Sequence, residues 1–204
     1  ENASGYYVWH IDSDDWVETN AVELLLDTAV AKSADMVVFD KRTVYENKAI
    51  GSHDVIGSRK EEYVRRLMHR ESMLAVWGKF CRRELFTAHG VRFIEGIGYG
   101  EDFAVSPRIA YFADKIVKLD RLLYNYVQYN AGAYTNNLSM RSVESVVKAT
   151  AVLRDFFLTV PDSDIYSPWI PRMEMKTKLA LMLAGGTEVR QAAWALYPDL
   201  DWRD

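Results

Sequence analysis

The pattern of apolar and polar positions divides the chain into a first part with strands and helices and a final part with helices alone. Apolar and aromatic runs at residues 5–11 and 36–39 predict buried strands, and residues 43–45 extend the second one. Between these strands, apolar residues recur at helical spacing over residues 21–34. The opening of the chain is therefore predicted to form a strand, a helix and a second strand.

The helix predicted at residues 21–34 has signals for both its start and its buried face. Asn20 followed by Glu23 resembles a capping box, and Thr19 is a competing cap. We predict that five apolar residues form the inward face: Val22, Leu25, Leu26, Ala29 and Val30.

Strands and helices continue up to about residue 127. Helices are predicted at residues 61–70, at 83–89 and from 101 to about 113. Strands are predicted at 75–80, 115–119 and 122–127, with a hairpin or loop at 47–57. Pro107 either kinks the third of these helices or, with Ser106 as N-cap, begins it.

From residue 142 onward the pattern is helical. Three helices are predicted there, at residues 143–158, 171–183 and 188–197. The predicted fold class is α/β, with a mixed sheet flanked by helices and a C-terminal helical tail. We divide the chain accordingly into residues 1–128 and a helical extension at 129–204.

Composition places the chain among globular proteins and excludes several classes. It has 204 residues, of which 49% are hydrophobic, so it can bury a core without disulfides. The net charge of −4 gives no basic footprint for nucleic acid. The single cysteine, Cys81, excludes an intrachain disulfide and fits a reducing, cytoplasmic compartment. The four histidines lack zinc-type spacing, and no apolar run is long enough to span a bilayer.

Three acids follow the first predicted strand: Asp12, Asp14 and Asp15. Ligands of open α/β sheets bind at the carboxyl ends of strands, and a divalent cation relieves the repulsion between close carboxylates. In an extended segment Asp12 and Asp14 point to the same side, so both can face one metal ion, while Asp15 points elsewhere. The alternative is a solvated acidic loop that precedes the next helix.

A second pair of acids, Glu101 and Asp102, follows a loop that contains Gly96, Gly98 and Gly100. Glycines permit sharp turns and the close approach of a ligand, and an acid at such a loop can serve as a general base. The alternative is that both acids only stabilise the start of a helix, where negative charge is favourable.

Four segments together resemble bacterial family-2 glycosyltransferases of the GT-A fold. They lie at residues 5–17, at 76–86, at 91–93 with 100–103, and at 123–126. They follow one another in the family's order and cover about residues 5–127, which is more specific than either acidic motif alone. The helical tail is less diagnostic.

The resemblance implies a role for each acid. It implies that Asp12 and Asp14 bind Mn²⁺ or Mg²⁺ on the diphosphate of the sugar donor, and that Asp12 and Asp15 lie near the nucleotide. It implies that Asp102 is the catalytic base, that Glu101 supports it, and that the sugar is transferred with inversion. The partners would be a UDP-sugar and a carbohydrate or lipid-linked acceptor.

Two further residues, Trp77 and Lys79, are expected near the acceptor or the donor phosphates on the same grounds. Each has an alternative: Trp77 is equally suited to the core, and Lys79 to a solvated surface. The family begins with a strand-helix-strand unit that recognises the nucleotide, and nothing resembling it precedes Gly5. We therefore expect a C-terminal portion with little activity alone, an exposed sheet edge open to self-association, and a location in the cytoplasm or at the inner face of the membrane.

Two other hypotheses remain at this stage. A haloacid-dehalogenase-like phosphohydrolase would use Asp12 as its nucleophile, although that family expects a Gly-Thr-like continuation where Asp15 and Trp16 stand. A non-catalytic interaction module would use exposed apolar residues of 173–183 to contact a partner or a membrane surface.

Overall fold

The computed structural model describes residues 2–129 and 138–200, and within them six strands form one mixed sheet. The strands are β1 (Tyr7–Trp9), β2 (Trp16–Val17), β3 (Met36–Tyr45), β4 (Lys48–Ser52), β5 (Lys79–Arg82) and β6 (Ile116–Val127). The helices are α1 (Ala21–Lys32), α2 (Lys60–Met68), α3 (Glu84–Thr87), α4 (Glu101–Phe112), α5 (Met140–Thr159), α6 (Ser163–Tyr166), α7 (Ile170–Ala184) and α8 (Thr187–Ala195). The predicted fold class, a mixed α/β sheet flanked by helices, is confirmed.

The long strand β3 organises the sheet, whose order is β1-β5-β3-β6-β2, with β4 also paired to β3. β3 runs parallel to β6 and antiparallel to β5. The two strands predicted at 115–119 and 122–127 are one strand, so their separation was wrong. The pairing with β6 shifts register around Asp40, because Asp120 and Arg121 bulge out of the ladder instead of ending the strand.

The strand predicted at 75–80 also differs from the structure. Residues Val76–Gly78 form a 3₁₀ turn, and only then does β5 begin at Lys79. The turn is closed by the Gly78 N–H, which donates to the Ala75 carbonyl at 3.2 Å. This displacement matters because the turn lies beside the candidate site.

Helix α1 packs on the sheet with a narrower face than predicted. Leu25 and Ala29 are buried, whereas Val22, Leu26 and Val30 are exposed, so three of the five predicted inward residues were wrong. The small Ala21 and Ala29 let the helix lie close to the strands, and this turns the larger neighbours outward. In the described part of the chain the Asn20 side chain makes no capping hydrogen bond, so the capping-box prediction was wrong as well.

The interior of helix α4 contains Pro107. Of the two alternatives for Pro107, a helix start with Ser106 as N-cap is therefore wrong, because α4 begins at Glu101. The Ser106 hydroxyl instead donates to the Leu74 carbonyl, across the interface with the 3₁₀ turn. Helix α4 is thus tied to the segment that precedes β5.

Hydrophobic layers cover both faces of the sheet. On one face α1 packs over Val37, Phe39 and Tyr124. On the other face α2 and α4 share a cluster with the C-terminal helices, which contribute Ala149, Leu153, Phe157, Tyr166, Ile170 and Met173. The predicted helical extension therefore belongs to the same core as α4. In the described residues, none of the helices has the length and apolarity to cross a membrane.

Candidate active site

The three acids after β1 form a tight turn that strand β6 holds in place, so the extended segment predicted for Asp12 and Asp14 was wrong. The turn is closed by the Asp15 N–H, which donates to the Asp12 carbonyl at 3.2 Å. The Tyr124 hydroxyl accepts from the Asp12 N–H at 3.0 Å and donates to Asp15 Oδ2 at 2.8 Å. The Val127 N–H donates to Asp15 Oδ1 at 2.8 Å. Both Asp15 oxygens are therefore bonded to β6, while Asp12 and Asp14 are exposed.

The electrostatics of this turn favour a cation. Loss of hydration, and then the negative charges of Asp15 and Asp14, raise the pKa of Asp12 above its ordinary value. Burial also raises the pKa of Asp15, against the opposing effects of its bonds to Val127 and Tyr124. A positive ion placed between Asp12 and Asp14 would relieve this repulsion.

The acid pair after the glycine loop lies at the first turn of α4. Gly100 has φ +83°, a conformation that suits glycine, and it directs Glu101 and Asp102 into the helix. Helix α5 supports this loop, since the Lys148 Nζ donates to the Glu95 carbonyl at 2.9 Å. The predicted position at a helix start is confirmed, and the acid pair is held by tertiary contacts as well as by the loop.

Asp102 has a strongly perturbed environment. Burial and the neighbouring Glu101 raise its pKa to about 6, while the Val76 N–H and the Lys79 charge act in the opposite direction. The negative charge of Asp12 contributes a further increase. Contacts link the two acids as well: Tyr124 bonds the Asp12 N–H and stacks on Trp77, and the 3₁₀ turn that contains Trp77 contacts the helix of Asp102. A carboxylate with a pKa near 6 is suited to accept a proton at neutral pH.

The carboxylates of this region suit a magnesium or manganese ion whose remaining ligands come from a substrate and water. Among the described residues, no group of three or more His, Cys, Asp or Glu side chains could hold a metal ion alone. Mg²⁺ is commonly bound by one or two carboxylates together with substrate phosphates and water. The exposed Asp12 and Asp14 match that arrangement, whereas Asp15 is committed to Tyr124 and Val127.

Trp77 lies in the core beneath the acidic turn. Its side chain is only 7% exposed and stacks on Tyr124 with ring centroids 4.1 Å apart. The Trp77 carbonyl accepts a hydrogen bond from Trp9 Nε1 at 2.6 Å. The structure thus places Trp77 in the packing role that the sequence left open, where it supports the tyrosine that holds Asp12 and Asp15.

Lys79 is fully buried. Both roles considered for it from the sequence, a ligand of phosphate and a solvated surface cation, need an exposed side chain. Its ammonium group donates to the carbonyls of Met73, Leu74 and Ala75 at 2.7, 3.3 and 2.9 Å. Those three bonds use the three donors of an ammonium group. Lys79 therefore belongs to the framework of the site and presents no surface to a phosphate.

Two residues near the acidic turn carried no role in the sequence interpretation. Tyr124 lay within a resembling segment, but nothing local to it indicated that it bridges Asp12 and Asp15. The Lys41 ammonium lies 4.8 Å from the Tyr126 ring centroid, and its charge lowers the pKa of Asp15. Both residues reach the site through strand pairing, which their own sequence neighbourhoods do not display.

A separate cavity of about 630 Å³ lies along β1, between that strand and residues 83–93. Its walls include His10, whose ring lies 5.7 Å from Phe86 and 5.4 Å from Phe93 between centroids. It is lined on the strand side by Val8, Trp9 and His10, just before the acidic turn.

Comparison with known proteins gives sequence relatives of one kind. The chain is 28% identical over 137 residues to glycosyltransferase GlyA of Streptococcus pneumoniae, covering 61% of this chain and 19% of that protein. It is 29% identical over 133 residues to the putative glycosyltransferase EpsH of Bacillus subtilis, covering 62% of this chain and 38% of that protein. The chain thus spans less than half the length of either relative. No family model matches it.

Solved structures share the fold at low sequence identity. S. aureus TarS, residues 1–349 in complex with UDP-GlcNAc, matches with a TM-score of 0.69 and 16% identity, over 94% of this chain and 55% of that one. The same protein in complex with UDP matches with a TM-score of 0.68. The chain is therefore similar in sequence to bacterial proteins named as glycosyltransferases, and it has the fold of a little over half of the solved TarS chain.

Proposed function

We propose that this chain carries the metal-binding and proton-accepting residues of an inverting glycosyltransferase of the family-2, GT-A type. The donor would be a nucleotide-diphosphate sugar, with UDP as the nucleotide, and the acceptor a carbohydrate or lipid-linked hydroxyl. The observation that carries the proposal is the series of contacts that joins Asp12 to the helix of Asp102, two acids 90 residues apart in sequence: Tyr124 bonds Asp12 and stacks on Trp77, and the turn that holds Trp77 contacts α4. This supports a single site with two kinds of carboxylate: exposed ones that would bind a metal ion, and one that would accept a proton.

The first kind of carboxylate would bind the donor. Asp12 and Asp14 would hold Mg²⁺ or Mn²⁺ together with the donor diphosphate. When bound, that ion would neutralise the negative charge that develops on the departing diphosphate. The role of Asp15 would be to fix the turn through Tyr124 and Val127, so that the two exposed acids keep their relative position.

The second kind of carboxylate would act on the acceptor. The acceptor oxygen would attack the anomeric carbon as the bond from that carbon to the diphosphate oxygen breaks. Asp102 would take the hydroxyl proton, and the attack from the opposite side would invert the anomeric centre. Its raised pKa supports this role, because the carboxylate is charged at neutral pH yet binds a proton more readily than an exposed aspartate.

The glycosyltransferase proposal is favoured over the hydrolase hypothesis by the sequence relatives, which are named as glycosyltransferases. UDP-sugar specificity is supported by the UDP and UDP-GlcNAc complexes of the TarS neighbour. The free thiol of Cys81 is consistent with the cytoplasm, where nucleotide sugars would be the donors.

The metal part of the proposal is tested by measuring Mn²⁺ binding by electron paramagnetic resonance in the presence of UDP. The double variant Asp12→Asn/Asp14→Asn is expected to weaken Mn²⁺ binding by at least about tenfold. The matched control is Asp27→Asn/Asp164→Asn, which removes two exposed acids from α1 and α6. Equal affinity in the two double variants, or no Mn²⁺ binding by the unaltered chain, would contradict the proposal.

A further inference from the structure

The segment before β5 is held by a buried lysine. Lys79 has no exposed surface, and all three of its hydrogen bonds go to consecutive carbonyls of residues 73–75. Burying an ammonium group costs free energy unless each of its donors is hydrogen-bonded. Conformations of residues 73–75 that keep all three bonds to Lys79 are therefore strongly favoured over those that break one. Lys79 therefore fixes the path of the backbone that leads into the 3₁₀ turn.

Helix α4 holds the same segment from the other side. The Leu74 carbonyl, already bonded to Lys79, also accepts a hydrogen bond from the Ser106 hydroxyl. Ser106 is fully buried and lies four residues after Asp102, so both side chains project from the same face of α4. The helix that carries Asp102 is thus pinned to residues 73–75.

The start of the segment is anchored as well. The Met73 N–H donates to Asp54 Oδ1 at 3.1 Å, and Asp54 Oδ1 also accepts from the Val55 N–H at 2.9 Å. Asp54, Asp102 and Cys81 are the titratable groups whose charges act on Lys79. Residues 73–75 are consequently held at one end by Asp54 and along their length by Lys79 and Ser106.

The residue that follows this segment faces the proposed base. Helix α4 contacts the 3₁₀ turn that begins at Val76, and the Val76 N–H favours the charged form of the Asp102 carboxylate, which opposes the rise in its pKa. The other groups that act on Asp102 are Glu101, Lys79 and Asp12. The direction of the Val76 N–H depends on the path of residues 73–75, because a peptide N–H is fixed by the planar unit that precedes it.

We infer that Lys79 and Ser106 are positioning residues: they hold residues 73–75 so that the Val76 N–H and the buried Lys79 charge face Asp102. Neither residue needs to contact substrate. The inference rests on the proposed function for its catalytic meaning, although the arrangement itself can be measured without any turnover. A hydrogen-bond donor such as the Val76 N–H, when it is already held in place, does not have to move as the charge on Asp102 changes during the reaction.

The test is a carbon-13 NMR titration of the Asp102 carboxyl, with the signal assigned from its absence in Asp102→Asn. The variants are Ser106→Ala and Lys79→Met, and the control is Ser145→Ala, which removes a buried hydroxyl from α5. We expect the Asp102 midpoint to move upward by at least about half a pH unit in both variants and to stay unchanged in the control.

Unchanged midpoints in folded Ser106→Ala would overturn the inference, and that variant decides alone if Lys79→Met does not fold. A general loss of structure would broaden or shift many carboxyl signals, whereas the inferred role moves Asp102 selectively. The outcome is independent of the Mn²⁺ measurement. A shifted Asp102 midpoint with no metal binding would support the positioning role while contradicting the proposed function.

Discussion

The acidic turn after β1 and the start of α4 use the same residue type in opposite environments. Asp12 and Asp14 are exposed and sit in a turn whose third acid, Asp15, is tied to β6. Asp102 is instead half-buried, and loss of hydration is the main reason that its pKa is raised to about 6. The comparison teaches that environment assigns the roles: exposed paired acids suit a hydrated cation, and a half-buried acid suits proton transfer.

The largest expected effect comes from removing the half-buried acid. Asp102→Asn keeps the side-chain shape but cannot take a proton, so we expect the rate of sugar transfer to fall by about 10²–10⁴-fold. The measurement is the initial rate with a panel of UDP-sugar donors, in a protein that carries these residues together with a nucleotide-binding unit, because we expect little activity from residues 1–204 alone. Glu101→Gln, one residue away, is the control and should lose less. Equal rates for the two variants would contradict the assignment of Asp102, and not Glu101, as the proton acceptor.

The second prediction concerns stability and pH. A raised pKa in the folded state means that the folded protein holds a proton which the unfolded chain releases at lower pH. The stability that protonated Asp102 adds to the folded protein is therefore fully present below about pH 4 and is lost as pH rises through about 6. We expect the unfolding free energy of the unaltered protein, relative to Asp102→Asn, to fall by about 1–3 kcal/mol between pH 4 and 7.

Urea unfolding of both proteins at several pH values measures that difference. Subtracting the Asp102→Asn curve removes the contributions of other acids with altered pKa values, such as Asp15 and Asp40, because both proteins contain them and Asp102 does not act on them. A difference that stays constant from pH 4 to 7, or grows as pH rises, would show that Asp102 is not half-buried as the structure places it.

The third prediction concerns the exposed acids and their support. Tyr124→Phe removes the hydroxyl that accepts from the Asp12 N–H and donates to Asp15. Tyr124 is fully buried, so we expect a loss of about 1–3 kcal/mol in unfolding free energy. The control is Tyr45→Phe, an exposed tyrosine of β3, which should change stability very little. Comparable small effects from both variants would mean that the turn does not depend on β6.

Much of the fold could be predicted from local patterns, because buried strands such as β3 and long helices such as α5 carry strong periodic signals. Errors arose where packing decided between local options. Ala21 and Ala29 set the face of α1 by allowing close contact with the sheet, and the bulge at Asp120 let β6 continue past a polar break. Neither outcome is visible in the residues of one element alone.

The site shows the same division. The positions of Asp12 at the end of a strand and of Asp102 at the start of a helix followed from local sequence. The support behind them did not, because Tyr124 reaches the turn by pairing of β2 with β6, and the burial of Lys79 depends on the path of residues 73–75. Long-range partners of this kind are fixed by tertiary structure and leave no spacing pattern.

The most direct test of the central claim is whether Asp12 acts on Asp102. In the structure the negative charge of Asp12 helps to raise the pKa of Asp102, so Asp12→Asn should lower the Asp102 titration midpoint in carbon-13 NMR. The control Asp27→Asn removes a charge from the exposed side of α1 and should leave that midpoint in place. An Asp102 midpoint that is the same in Asp12→Asn as in the unaltered protein would contradict a shared site.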